Sequence, residues 1–138
     1  MPSRPGAVPI GYHSITPYVT APSADTLIAF LQAAFDARLD LRVDRDDGTV
    51  AHAEVEIGDS RLMLCAAREA LTPAPAALCL YVADVDAVYG RALAAGAHSV
   101  MEPADMTYGD RHGGVVDPAG NQRWVAQQLS VPGARVER

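Results

Sequence analysis

The sequence predicts an α+β fold built from two tandem βαβββ modules. Each half shows a strand, an N-capped amphipathic helix and then three strands. Gly58 to Leu62 (GDSRL) aligns with Gly120 to Trp124 (GNQRW) at an offset of 62, and the acidic residues Asp25 and Asp86 at the two helix starts are 61 apart. A nearly constant offset across such different segments indicates that one structural unit occurs twice.

The first half supplies the clearer copy of this unit. Residues 14–20 alternate as a strand does, and Pro17 favours an edge position for it. Ser23 is a predicted N-cap, and the helix after it carries one apolar stripe. Three more strands are predicted at 39–43, 49–57 and 61–65, with turns at 44–48 and 58–60. The stripe consists of Leu27, Ile28, Leu31, Ala34 and Phe35.

The second half repeats the order after a Pro- and Ala-rich linker at 67–76. A strand is predicted at 77–82, and a helix from the cap Asp84 to about residue 95 has Val85, Val88 and Leu93 on its apolar stripe. A short strand at 98–101 ends at Glu102-Pro103. A hairpin within 108–126 then turns at 117–121, and its return strand puts Trp124 and Ala126 on one face.

Length and composition indicate a single globular domain of ordinary apolar and charged content within 138 residues. We expect a flexible arm at 1–11, a domain at 12–128 and a tail at 129–138. Within the domain, 12–66 and 77–128 are the two modules and 67–76 is the linker between them. No apolar run is long enough to span a bilayer, and the first ten residues lack an apolar signal core, so we expect a cytoplasmic location.

The charge pattern excludes several classes of function. A net charge of −6 disfavours nucleic acid and anionic membrane surfaces as partners. The chain has no lysine, which excludes Schiff-base chemistry on a lysine. Cys65 and Cys79 lie in apolar strand candidates without metal-like spacing, and we expect both to be reduced core residues.

Three motifs within this repeat resemble a known family. They are Tyr81 to Asp86 (YVADVD), Tyr108 to Arg111 (YGDR), and a closing hairpin of the form Asp-Pro-x-Gly-Asn-x-x-Trp that ends at Trp124. With the paired modules they resemble the vicinal oxygen chelate superfamily of glyoxalases, extradiol dioxygenases and bleomycin-resistance proteins, most closely its PhnB-like branch, over residues 13–128. The resemblance implies curved mixed sheets around a cavity, often closed by a second chain.

The same resemblance implies metal ligands on the first and last strands of each module. These places fall at Thr16, Leu62 or Leu64, Ala77 and Trp124, none of which binds a divalent metal well. We therefore expect neither a metal nor any other cofactor.

A relocated metal centre is the alternative, because His52, Glu54 and Glu56 share one strand face. Alternate residues of a strand stand about 7 Å apart, too far for all three to meet one ion unaided. We interpret them as a polar sheet face that is wet or lines the cavity.

The predicted ligand-binding residues combine aromatic, basic and acidic side chains. The resemblance implies that Tyr18, Cys79, Tyr81, Leu62, Leu64 and Trp124 share the concave side with His52 and Glu54. Three alternatives stay open: Trp124 as a core residue, Asp110 and Arg111 as a structural ion pair, and acid–base catalysis by His52 or His112. The full predicted set is Tyr18, His52, Glu54, Leu64, Tyr81, Tyr108, Arg111, His112 and Trp124.

Without metal ligands and with an aromatic wall, the sequence favours a non-catalytic protein of the bleomycin-resistance type. It would sequester or carry a small hydrophobic or aromatic molecule such as a peptide antibiotic. The alternative is a glyoxalase-like lyase, isomerase or epimerase whose metal is relocated or absent. Open sheet edges and half-formed cups also predict a homodimer, possibly with exchanged modules, whose ligand sites lie between subunits.

Overall fold

The computed structural model describes residues 8–129, and its elements follow the predicted βαβββ order twice. The expectations for residues 1–7 and 130–138 lie outside the described residues. The elements are β1 (Tyr18–Ala21), α1 (Ala24–Phe35), β2 (Arg38–Asp44), β3 (Val50–Ile57), β4 (Ser60–Ala66), β5 (Ala77–Tyr81), α2 (Val85–Ala94), β6 (His98–Asp105), β7 (Asp110–Val116) and β8 (Gln122–Gln128).

The eight strands form two four-stranded sheets with the same topology. Their orders are β1-β4-β3-β2 and β5-β8-β7-β6. In each sheet the first strand of the module pairs in parallel with the last, and the other neighbours are antiparallel. This arrangement confirms the predicted fold of two tandem βαβββ modules with mixed sheets.

Each helix packs on the sheet of its own module, and the two helices also contact each other. The Ser23 side chain accepts a hydrogen bond from the backbone N–H of Thr26, which caps α1 as predicted. All five residues of the predicted α1 stripe are buried, and Leu27 and Leu31 have no exposed surface. The core therefore lies between each helix and its sheet and continues across the α1–α2 contact.

The apolar stripe of α2 differs from the prediction at one residue. Asp84 caps the helix, and Val85 and Val88 are buried as expected. Leu93 is 37% exposed, so the prediction that it belongs to the buried stripe was wrong. Ala92 is buried in its place. Positions 85, 88 and 92 recur at helical spacing, and the next residue is turned about 100° away from that line.

Two strand boundaries also differ, each at a proline. The first strand begins at Tyr18 rather than residue 14. Pro17 has no N–H to donate, so its only backbone hydrogen bond in the sheet is the one that its carbonyl accepts from the N–H of Met63. The sixth strand does not end at Glu102-Pro103 but continues to Asp105. Its register shifts between Met101 and Ala104, so Pro103 lies in an irregularity of the ladder, where a proline is tolerated.

The register of the first sheet places the leucines of β4 on the face that α1 covers. Leu64 pairs with Ala53, both without exposed surface, whereas Glu54 pairs with Met63 and Met63 with Tyr18. Paired residues point to the same side of a sheet. The prediction that Leu62 and Leu64 share a face with His52 and Glu54 was therefore wrong.

The cause is a difference in length between the two hairpin turns. At the equivalent position of each hairpin, four residues separate Glu56 from its partner Arg61, whereas five separate Val116 from its partner Gln122. Since Tyr18 pairs with Met63 and Cys79 with Trp124, the structural counterpart of Trp124 is Met63, at an offset of 61. The sequence alignment at 62 paired Trp124 with Leu62 and so exchanged the two faces of β4.

Candidate functional site

The outer face of the first sheet, the side away from α1, carries a chain of hydrogen bonds that we call the Glu54 cluster: Tyr12, Tyr18, His52, Glu54 and Arg61. The Tyr18 hydroxyl lies 3.1 Å from His52 Nδ1, and His52 Nε2 lies 2.8 Å from Glu54 Oε2. The Tyr12 hydroxyl donates to Glu54 Oε1, and Arg61 Nη1 is 3.5 Å from the same oxygen. Three of the predicted site residues therefore do meet, as parts of one network.

The electrostatics of the Glu54 cluster favour an ionised Glu54. The carboxylate is 5% exposed, and burial by itself raises its pKa. The hydrogen bonds from Tyr12 and His52 and the charge of Arg61 outweigh burial, so that the pKa of Glu54 lies below its ordinary value. Because Glu54 accepts from Nε2, a neutral His52 carries its proton there and accepts from Tyr18 at Nδ1.

The outer face of the second sheet carries a related but incomplete arrangement. The Tyr108 hydroxyl lies 3.0 Å from His112 Nδ1, and the imidazole meets the Trp124 indole edge-on, with ring centroids 5.6 Å apart. Gly114 has Trp124 as its pairing partner, as Glu54 has Met63, so a glycine stands where the first module has the carboxylate. His112 Nε2 is buried and has no hydrogen-bond partner among the described residues.

The indole of Trp124 occupies the space that this glycine leaves. A Cβ added at Gly114 would lie 2.4 Å from Trp124 Cζ3 and 2.6 Å from Cε3. On its other side the indole N–H donates to Gln122 Oε1 at 3.2 Å. Trp124 is thus half-buried and held by one exposed hydrogen bond, rather than enclosed in the helix-covered core.

A cavity of about 300 Å³ is lined by residues of both modules. Its apolar wall includes Phe35, Ile57, Leu62, Leu78, Leu80 and Trp124, and its polar lining consists of His13, Ser60, Arg61 and Arg123. Among the nine predicted site residues only Trp124 lines this cavity. The tyrosines expected beside Trp124, Tyr18 and Tyr81, do not line the cavity, and the other members of its apolar wall come from α1, β3, β4 and β5.

Arg123 is the residue of this cavity that the sequence interpretation undervalued. It is 4% exposed, its Nε donates to Asp117 Oδ2 at 2.9 Å, and its guanidinium carbon lies 5.9 Å from the centre of the Phe35 ring. Burial lowers the pKa of Arg123, opposed by the charge and hydrogen bond of Asp117. Its Nη2 has no hydrogen-bond partner in the described part of the chain. The alternation of side chains along β8 could have identified this residue. If Trp124 points to the outer face of the sheet, its neighbour Arg123 must point to the inner face.

The remaining predicted residues lie elsewhere. Leu64 is fully buried in the core, and Tyr81 is 65% exposed at the end of β5. Arg111 forms ion pairs with Asp86 at 2.7 Å and with Asp105 at 2.8 Å, and hydrogen bonds to both carboxylates raise its pKa. Arg111 thus ties β7 to α2 and β6, which is a structural role.

The side chains of the strands that would hold a metal do not fit one. The outer-face residues that pair between the first and last strands are Tyr18, Thr20, Met63 and Cys65 in one module and Ala77, Cys79, Tyr81, Gln122, Trp124 and Ala126 in the other. Within residues 8–129 no three His, Cys, Asp or Glu side chains come close enough to bind one ion, and Glu56 is paired with Arg38. Neither the usual positions nor the His52 face supplies a ligand set.

The two cysteines differ in environment. Cys65 is buried, with its sulfur 3.5 Å from the Thr20 hydroxyl, as expected for a core thiol. Cys79 is exposed beside the cavity, so its prediction as a core residue was wrong. Between residues 8 and 129, neither helix has the length and apolar character needed to cross a membrane.

Comparison with known proteins identifies relatives over most of the chain. A sequence model described as the Glyoxalase/Bleomycin resistance protein/Dioxygenase superfamily matches residues 12–125. Uncharacterised proteins of Mycobacterium bovis and Mycobacterium tuberculosis are 36% identical over 128 residues. The match covers 84% of this chain in both cases, and 84% and 75% of the respective relatives.

Solved structures show the same fold. TioX from Micromonospora sp. ML1 superposes with a TM-score of 0.71 at 26% identity, covering 85% of this chain and 99% of TioX. A PhnB protein from Bacillus cereus superposes with a TM-score of 0.67 at 19% identity, covering 83% of this chain and 99% of that one. The second likeness concerns the fold alone.

Proposed function

The chain belongs to the glyoxalase/bleomycin resistance protein/dioxygenase superfamily, and we propose that it is a metal-independent small-molecule binding protein of the bleomycin-resistance type. Its ligand is a small hydrophobic or aromatic molecule, such as part of a peptide antibiotic. The observation that carries this proposal is the cavity of about 300 Å³ with an apolar wall that ends in Trp124.

The size and lining of the cavity suit a binding site. Ligand pockets are typically about 300–1,000 Å³ and mostly apolar, with a few polar groups that orient the ligand. The Trp124 indole offers a flat face, and an aromatic pair contributes about 0.5–1.5 kcal/mol beyond the area that it buries. Among residues 8–129 no set of metal ligands lies on the neighbouring strands. This lining supports ligand binding over metal-assisted chemistry.

Calorimetric titration with a panel of planar aromatic compounds tests the proposal, and a variant that narrows the cavity makes the test specific. Cys79 lies beside Trp124 in the cavity lining, so Cys79→Phe fills space there without removing a core side chain. Leu93→Phe, on an exposed residue of α2 outside the cavity lining, is the matched control. We expect C79F to weaken binding at least about tenfold and L93F to leave it unchanged.

Two outcomes would overturn this function. One is the absence of saturable binding by any compound of the panel at micromolar concentration. The other is equal affinity in wild type and C79F, which would place the ligand outside this cavity.

The Glu54 cluster favours a second candidate function, a glyoxalase-like lyase, isomerase or epimerase. Glu54 orients His52, and the other ring nitrogen of His52 meets the half-exposed Tyr18 hydroxyl, an arrangement that can transfer a proton. Turnover of α-hydroxy thioester or hemithioacetal substrates, abolished by His52→Ala, would support this function. A stoichiometric divalent ion that H52A removes would do the same, whereas a metal-free protein without turnover excludes it.

We further propose a homodimer, since much of β2 and β6 is exposed. On β2, Leu41 is 42% and Val43 49% exposed, and on β6 Val100 is 51% exposed. These strands are the outer edges of the two sheets, and unpaired edges favour association. Light scattering at micromolar concentration tests the proposal, and a monomer would contradict it.

The cytoplasmic location stays a prediction.

A further inference from the structure

We infer that the cavity beside Trp124 takes a small organic acid, in which an apolar body lies against the wall and a carboxylate or similar anion meets Arg123. The inference rests on the proposed binding function and names the chemistry of its ligand. It depends on the sign of the charges around the cavity, on the hydrogen bonds of Arg123 and on those of its partner Asp117.

The charged residues that line the cavity are all basic. Arg61 and Arg123 line it, and no aspartate or glutamate of residues 8–129 does so. The whole chain carries a net charge of −6, so this wall is opposite in sign to the protein as a whole. Arg61 already contacts Asp40 at 3.1 Å and Glu54 at 3.5 Å, whereas Arg123 has a buried Nη2 without a hydrogen-bond partner among residues 8–129.

Asp117 meets only part of the hydrogen-bonding capacity of Arg123. The guanidinium has five N–H donors, and only Nε reaches Asp117. The same carboxylate accepts from the backbone N–H groups of Ala119 and Asn121 and from Asn121 Nδ2 at both oxygens. Its negative charge is therefore shared among several donors, and it cannot serve both edges of the guanidinium.

An anion in the cavity would supply the missing acceptor. A buried donor without a partner is costly, and hydrogen bonds between a guanidinium and a carboxylate are among the stronger ones in proteins. Arg123 Nη2 is itself covered, so binding requires a small rotation of the guanidinium toward the cavity while the Nε bond to Asp117 is kept. Phe35 lies beside the guanidinium and lines the same cavity, so the apolar body and the anion can be held together.

Three probes of one shape separate charge from fit: 2-naphthoate, 2-naphthamide and 2-naphthylmethylamine, each titrated at pH 7 and followed by calorimetry. We expect the acid to bind about tenfold more tightly than the amide, the effect of one charge-assisted hydrogen bond. The amine, which is a cation at this pH, should bind most weakly. Equal affinity of acid and amide would overturn the inference but leave the proposed binding function intact. If none of the probes binds to the wild type, both fail.

A paired substitution locates the effect. Asp117→Asn combined with Arg123→Met removes both charges of the buried pair, so that neither is left alone in the core. We expect this variant to bind acid and amide within about threefold of each other, with amide affinity close to that of the wild type. Arg42→Gln, at an exposed ion pair with Asp25 and Asp44, is the control and should keep the preference for the acid.

Circular dichroism establishes that the double variant is folded. Arg123→Lys serves if it is not, because lysine keeps the charge and loses the planar fork. We expect R123K to reduce the preference for the acid at least threefold. An unchanged preference in either folded variant would show that another group binds the anion, and would overturn the assignment to Arg123.

Discussion

The contact between Trp124 and Gly114 offers the sharpest test of how the second module is built. Gly114→Ala adds a Cβ that would lie 2.4 Å from Cζ3 and 2.6 Å from Cε3 of the indole. Carbon atoms in contact are about 3.5–4.0 Å apart, so the ring must move by about 1 Å or more. Because Trp124 is held on its outer side by a single exposed hydrogen bond, we expect the indole to tilt toward solvent.

The expected magnitude follows from two opposing terms. Overpacking of this kind costs about 1–3 kcal/mol. Replacing glycine by alanine also restricts the unfolded chain, which returns about 0.4–1 kcal/mol. The free energy of unfolding should therefore fall by about 1–2 kcal/mol, which corresponds to a decrease in Tm of about 4–8 °C for a domain of this size.

Fluorescence reports the movement directly, because Trp124 is the only tryptophan in the chain. We expect G114A to shift the emission maximum to longer wavelength and to weaken ligand binding, together with the lower Tm. Gly90→Ala is the matched control, since a Cβ at that position of α2 has nothing within 4 Å. It should raise stability by about 0.5–1 kcal/mol with unchanged emission. A G114A protein with wild-type emission and stability would refute the packing that we describe.

Three further predictions concern stability. Asp117→Ala leaves the buried Arg123 without its counter-ion and should lower the free energy of unfolding by about 3–5 kcal/mol, measured by denaturant titration; a loss below 1 kcal/mol would show that the pair is solvated. The pKa of Glu54 is depressed in the folded state, so its contribution is fully present above the ordinary value of 4.5 and is lost as pH falls through the lower folded pKa. Glu54→Gln should flatten the acid limb of the stability–pH curve, and an unaltered limb would contradict this. Ser23→Ala removes the cap on the N–H of Thr26 and should cost about 1 kcal/mol in thermal melts; an unshifted Tm would show that the cap contributes nothing.

Much of the fold was predictable because local signals and tertiary packing agree. Ser23 and Asp84 cap the two helices as their sequence positions predict. The repeat and the order of the strands were also readable, since each depends on alternation, helical spacing or turn residues within a few positions. Errors at β1 and β6 both occurred at prolines, whose effect depends on whether the neighbouring strand needs the missing N–H.

The candidate site was predictable only in part. The sequence singled out Trp124, which does line the cavity, and His52 and Glu54, which do share a face. It assigned Leu64 to the wrong face, because the two modules have turns of different length and a slip of one residue exchanges the faces of a strand. It also could not join Phe35 to Arg123, since that contact spans both modules.

The sequence alone determined that there are two βαβββ modules, where their helices begin, and that the strands which would hold a metal lack suitable ligands. These properties follow from residue types and their spacing along the chain. Only the tertiary structure decided which face each strand presents, and that Arg123 and Trp124 meet Phe35 and Leu62 around one cavity. Such properties depend on turn lengths and on contacts between distant segments, which no local pattern specifies.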